Sequence, residues 1–147
     1  EIREILKLSR ASTIKWLRVL KDNELLLFTQ MGRMKYYKLN SGSPIVKQLK
    51  VLLNIYKILP EIKSLKGKCR IFLYGSVARG EDTENSDIDL LILGRQSPEI
   101  NSVIRNLEKK LTKRTRPSYY TEIEWSKLSR KDQAFYERVE KDKIELV

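Results

Sequence analysis

Asp87 and Asp89 interrupt an apolar run that continues as Leu90-Leu91-Ile92-Leu93 and closes at Gly94. Two residues apart on an extended chain, they project from the same face. Their Cα atoms then lie roughly 7 Å apart, which lets the carboxylates converge on one divalent cation. Ten residues separate Gly75-Ser76 from Asp87, and the pair directly follows the strand-like run Cys69-Arg70-Ile71-Phe72-Leu73-Tyr74. A Gly-Ser turn that opens a helix offers unpaired backbone N–H groups to an anion such as a phosphate. Glycine permits close approach of the backbone, and the Ser76 hydroxyl adds a donor. Arg79, one helical turn later, is a secondary phosphate-binding candidate, and Gly80 suits the position after a helix end where φ is positive. Phosphate binding beside a two-carboxylate metal site is equipment for phosphoryl or nucleotidyl transfer.

The elements required are a strand, a turn into a helix, a polar loop and a second strand. Glu81, Asp82 and Glu84 fall in that loop and are expected to be exposed, raising the local cation concentration. The spacing of Gly75-Ser76 and Asp87-x-Asp89, with both flanking apolar strands, resembles the signature of the DNA polymerase β-like nucleotidyltransferases. In particular it resembles their minimal prokaryotic, antitoxin-type members, small domains often encoded beside a helical partner protein. The resemblance spans Ile45 to Val147. It implies that Gly75 and Ser76 hold the phosphates of a nucleoside triphosphate, ATP most of all. It also implies that Asp87 and Asp89 are catalytic and bind Mg²⁺ or Mn²⁺, and that a third carboxylate stands on a later strand. The acceptor implied is a hydroxyl, on a toxin-like partner protein or on a nucleic acid.

That third carboxylate has two readings. Arg116-Pro117-Ser118-Tyr119-Tyr120 reads as the later strand and holds no acid. If the strand extends, Glu122 and Glu124 share a face with Ser118 and Tyr120, and Glu122 becomes the candidate catalytic residue. Alternatively Thr121-Glu122-Ile123-Glu124 is a capping box opening a helix toward Leu128, a reading that the local chemistry favours.

Composition narrows the chemistry. The 147 residues include no histidine and one cysteine, and the net charge is +11. Without histidine, imidazole acid–base catalysis is excluded, and a metal must rest on oxygen ligands, which favours Mg²⁺ or Mn²⁺ over zinc. Cys69 cannot form an internal disulfide and is expected to pack in its strand, in keeping with a reducing cytoplasm. No signal-peptide pattern opens the chain, and no run of eighteen apolar residues spans a membrane. The charge points to an anionic partner.

Residues 1–50 carry eleven basic and four acidic side chains, +7 of the total. Ile2, Ile5, Leu6 and Leu8 give a helical stripe, Ser9 to Ser12 a break, and Thr13 to Leu20 a second helix ending at Asn23. Leu25–Gln30 and Met34–Leu39 read as a hairpin turning at Met31-Gly32-Arg33. Two helices and a basic hairpin over residues 1–40 resemble a winged helix-turn-helix whose first helix is missing or lies upstream of Glu1. The resemblance implies binding of double-stranded DNA. Ser12 and Thr13 would hold phosphate at the start of the recognition helix, with Lys15 and Arg18 on its exposed face beside Trp16. Arg33 and Lys35 would reach from the wing.

Residues 41–44 read as a linker. Ile45 to Leu59 reads as a helix whose stripe Ile45, Val46, Leu49, Leu52, Leu53, Tyr56 and Leu59 covers the sheet, or packs on a second copy in a homodimer, and which Pro60 ends. Pro98 to Lys113 reads as a helix with a solvated basic face (Arg105, Lys109, Lys110, Lys113, Arg114, then Arg116). Asp132 to Lys143 reads as a last helix, followed by an edge strand or tail. The fold class expected is α+β, a winged helix followed by a small mixed sheet flanked by helices. The function expected is transfer of a nucleoside monophosphate to a hydroxyl by a domain joined to a DNA-binding module. The alternative is a DNA-binding regulator or antitoxin whose second domain binds nucleotide or partner without turnover.

Overall fold

A computed structural model describes residues 2–147. It divides into two compact units, up to Lys47 and from Gln48 to Val147, with the division inside one helix, α3 (Pro44–Ile62).

In the first unit, α1 (Ile2–Leu6) precedes α2 (Arg10–Asp22), which Ser9 caps by accepting from the Ser12 N–H at 3.1 Å. Asn23 is the C-cap, as its side-chain preferences suggest. Strands β1 (Leu26–Met31) and β2 (Met34–Leu39) pair antiparallel, with Met31 opposite Met34. The loop is therefore the two residues Gly32-Arg33, and Gly32 has φ +60°, which such a tight turn requires. Among the described residues of this unit, no side chain before Val46 is fully buried.

The second unit is a four-stranded mixed sheet in the order β5-β4-β3-β6. Strand β3 (Arg70–Tyr74) pairs antiparallel with β4 (Ile88–Leu93) and with the edge strand β6 (Ile144–Glu145), while β5 (Thr115–Tyr120) lies parallel to β4. The parallel pair needs a crossover, which α5 (Pro98–Leu111) supplies. One face of the sheet buries Ile71, Leu73, Leu90 and Ile92 against Ile58 and Ile62 of α3 and Ile100, Ile104 and Leu107 of α5. The other face buries Phe72, Tyr74, Leu91 and Leu93 under Trp125 of α6 (Glu122–Lys131) and Val139 of α7 (Gln133–Asp142). Covering on both faces explains why β3 and β4 read as continuous rather than alternating apolar runs.

Helix α3 departs from expectation twice. Pro60 does not end it: lying in the last turn, Pro60 removes only the bond to the Tyr56 carbonyl, and the helix continues to Ile62 before one 3-10 turn at Lys63–Leu65. Of the expected stripe, Val46 is buried and Leu59 half-buried, whereas Ile45, Leu49, Leu52, Leu53 and Tyr56 are exposed; Val51, Ile58 and Ile62 are buried instead, with Ile55 packed on the core. The helix is apolar on two sides, and its sequence alone does not rank them. Among the described residues, no helix is long and apolar enough to cross a membrane.

Candidate active site

Strand β3 ends at Tyr74, and the chain turns at once into the four-residue helix α4 (Gly75–Ala78). Gly75 has φ +76°, and a Cβ there would lie 2.6 Å from Asp89 Oδ2. Glycine is thus required twice, for the backbone conformation and for the room Asp89 occupies over the turn. Gly80, with φ +66°, ends this segment. Asp89 is brought to the turn by sheet register, since Tyr74 and Asp89 are partners across β3 and β4. Burial raises the Asp89 carboxyl above its ordinary value; Arg116 draws it back, and the neighbouring charge of Asp87 adds to the rise. The structure therefore brings together Gly75, Ser76, Asp87 and Asp89.

The loop delivering the aspartates is solvated along most of its length but pinned at Asp82. The Asp82 side chain is only 9% exposed; it accepts from Asn54 Nδ2 at 3.1 Å and faces Lys50 and Lys113 Nζ at 3.3 Å each. Lys113 Nζ also donates to the Thr83 carbonyl at 2.9 Å. Burial alone would lift the Asp82 carboxyl, but these donors outweigh it and hold it below the ordinary carboxylate range. Asp82 is thus a structural anchor, which corrects the expectation of an exposed side chain there; Glu81 and Glu84 are exposed as expected, with Glu81 paired to Arg79 at 2.9 Å.

Beside the turn lies a polar cavity of about 470 Å³ lined by Tyr74, Gly75, Ser76, Arg79, Asp89, Arg116, Ser118 and Arg138. Parallel pairing sets Arg116 of β5 opposite Asp89, and its Nη2 lies 2.6 Å from Asp87 Oδ2. Arg138 enters from α7. Asp142, the last residue of the same helix, accepts from the Gly75 N–H at 3.4 Å and from Arg79. Arg79 does line the cavity, paired with Glu81 and Asp142. Sequence reading missed Arg138 and Asp142 and gave Arg116 to a solvated basic face. The cue available was a basic residue in the strand where an acid was sought.

Glu122 is not part of this constellation. It begins α6, where Thr121 and Glu124 form the complete capping box, and its carboxylate pairs with Arg70 at 3.3 Å. Arg70 opens β3 and Tyr74 closes it, so Glu122 sits toward the other end of the strand from the Gly75 turn. Capping won because the Thr121 hydroxyl and Glu124 carboxylate satisfy each other's backbone N–H groups at once. Among the described residues, no group of three or more histidines, cysteines or acids is placed to hold a metal. Two carboxylates do suit Mg²⁺, which prefers one or two protein carboxylates completed by waters and substrate phosphates.

In the first unit, Ser12 and Thr13 take part in the exposed hydrogen bonds that start α2. Helix α2 starts at Arg10, earlier than expected, because Ser9 is the better cap. Ser12 Oγ receives the Ser9 hydroxyl at 2.9 Å, and Thr13 Oγ1 donates to the Ser9 carbonyl at 2.9 Å. Lys15 and Arg18 on α2, Arg33 at the hairpin tip and Lys35 on β2 are exposed.

No curated protein matches the chain. Residues 55–145 match the family described as the nucleotidyltransferase domain, more than half of the chain and the whole of the site just described. The chain belongs to the nucleotidyltransferase domain family.

Proposed function

We propose that the second unit binds a Mg²⁺–nucleoside triphosphate, ATP foremost, and transfers its nucleoside monophosphate to a hydroxyl with release of pyrophosphate. The observation that carries this reading is the seating of the Asp89 carboxylate on the Gly75-Ser76 turn, with Asp87 beside it and three arginines lining the cavity. In this reading Asp87 and Asp89 hold the metal together with the nucleotide's phosphates. The metal, when bound, lowers the acceptor's pKa and neutralises charge on the phosphate oxygens. The Gly75-Ser76 turn, Arg79, Arg116 and Arg138 bind and orient the phosphates. The first unit, over residues 1–40, serves as a winged helix-turn-helix whose Lys15, Arg18, Arg33 and Lys35 contact double-stranded DNA.

A second reading has its own support. Arg116 stands in register with Asp89 and already pairs with Asp87, on the strand where the resemblance calls for a carboxylate. A site so built can bind nucleotide and serve a DNA-binding regulator or antitoxin without turnover.

The test measures Mg²⁺-dependent ATP and CTP binding and pyrophosphate release for wild type against Asp87→Asn/Asp89→Asn. Nucleotide at 100 times Kd should add about 2.7 kcal/mol to stability, seen as a raised melting temperature. Pyrophosphate release lost in the variant supports the transferase. Metal-dependent binding with no release, even with hydroxyl acceptors supplied, supports the regulator. Absence of binding defeats both.

A further inference from the structure

The exposed stripe of α3 has a regularity of its own. Ile45, Leu49, Leu52, Tyr56 and Leu59 are spaced four, three, four and three residues apart. That is a 3.5-residue repeat, the seam of two helices packed knobs-into-holes. Ile45, Leu49, Leu52 and Tyr56 are 59%, 46%, 62% and 75% exposed, and Leu53, 54% exposed, widens the seam. At ~200 Å² for a large side chain, these five present on the order of 600 Å² per copy, close to the ~800 Å² per partner of a standard interface. A monomer seldom leaves an apolar patch of that size in water.

Charge says what covers it. The chain carries +11, which opposes self-association wherever its lysines meet. On α3, Lys47, Lys50, Lys57 and Glu61 all fall away from the seam in the heptad repeat. Of the positions flanking it, Gln48, Leu53 and Pro60 reach the surface and hold no charge, while Val46 and Ile62 are buried and Ile55 packs on the core. Cations gather at the C-terminal end, where Lys57, Lys110 and Lys113 line a cavity with Tyr56 and Pro60; the exposed heptad flanks of the stretch from Ile45 to Leu53 offer an acidic partner none. An uncharged apolar ridge of the same repeat fits, and a second copy of α3 is such a ridge.

We infer that α3 is a dimerisation helix and that a second copy of this chain covers its seam. Leu52 is the middle residue of the stripe, so it lies next to the two-fold axis and meets its own copy whether the helices run parallel or antiparallel.

Sedimentation equilibrium of the full chain at micromolar concentration tests this. Wild type is expected at twice the 17.3 kDa chain mass. Leu52→Lys/Tyr56→Lys is expected at the single-chain mass with unchanged circular dichroism, because both side chains are exposed in the single chain. Leu52→Cys is expected to form a covalent dimer on oxidation, with no cross-link in wild type, where the one cysteine, Cys69, is buried. A monomeric wild type overturns the inference, whatever other protein α3 then binds. So does a dimer that persists in the double lysine variant, or a Leu52→Cys chain that does not cross-link.

Discussion

Arg116 Nη2 lies 2.6 Å from Asp87 Oδ2, one strand over from the acid it neutralises. Both side chains retain access to solvent, so the pair contributes little to folding. Its value lies in placing a planar cation where triphosphate oxygens would arrive. Arg116→Ala is expected to leave the melting temperature nearly unchanged and to weaken Mg²⁺–ATP binding by roughly tenfold, about 1.4 kcal/mol. Isothermal titration calorimetry measures it. Tighter binding in the variant would mean that Arg116 competes with the metal for Asp87 instead of holding phosphate.

Gly75→Ala combines a positive φ with a Cβ placed on the Asp89 carboxylate. A loss of stability of about 2 kcal/mol or more is expected, together with loss of nucleotide binding. Gly67→Ala is the control. Its φ is +80° but nothing lies near the added carbon, so it should cost about 1 kcal/mol and leave binding intact. Urea unfolding of the two variants separates backbone strain from collision with Asp89. Equal losses would remove the special role given to Gly75.

The Asp82 anchor predicts a pH dependence with a definite sign. Its carboxyl is held below 3.8 in the fold, so its contribution is present in full above the unfolded value and is lost as pH falls through the folded one. Asp82→Asn should therefore melt below wild type at pH 7, with the gap closing below about pH 4. Thermal melts across that range decide it. A gap that stays constant with pH would show that Asp82 acts by shape and hydrogen bonding rather than by charge.

DNA binding through the first unit makes a separable prediction. Lys15→Glu/Arg18→Glu should weaken duplex binding at least tenfold and flatten its salt dependence, as should Arg33→Glu/Lys35→Glu. Pyrophosphate release should be unchanged in both. Filter binding at several salt concentrations reads the slope. Unchanged duplex affinity in both pairs would remove α2 and the β1–β2 turn from the interface.

What the sequence determined by itself was local. The apolar runs of β3 and β4 and the glycine turn between them follow from side-chain patterning and backbone freedom over some twenty residues. So do the hairpin turning at Gly32-Arg33, although the structure draws Met31 into β1 and shortens its loop to two residues, and the capping box at Thr121, each set by chemistry within a few positions. The tertiary structure decided what depends on distant partners. Arg116 reaches Asp87 only because the crossover through α5 lays β5 parallel to β4 in one particular register. Arg138 and Asp142 arrive on α7, and Asp82 becomes an anchor because α3 and the chain beyond α5 bring it two lysines. The same holds for α3 itself: a helix apolar on two sides has no internal reason to bury either, and packing against the sheet chose Ile58 and Ile62, leaving the heptad seam in solvent.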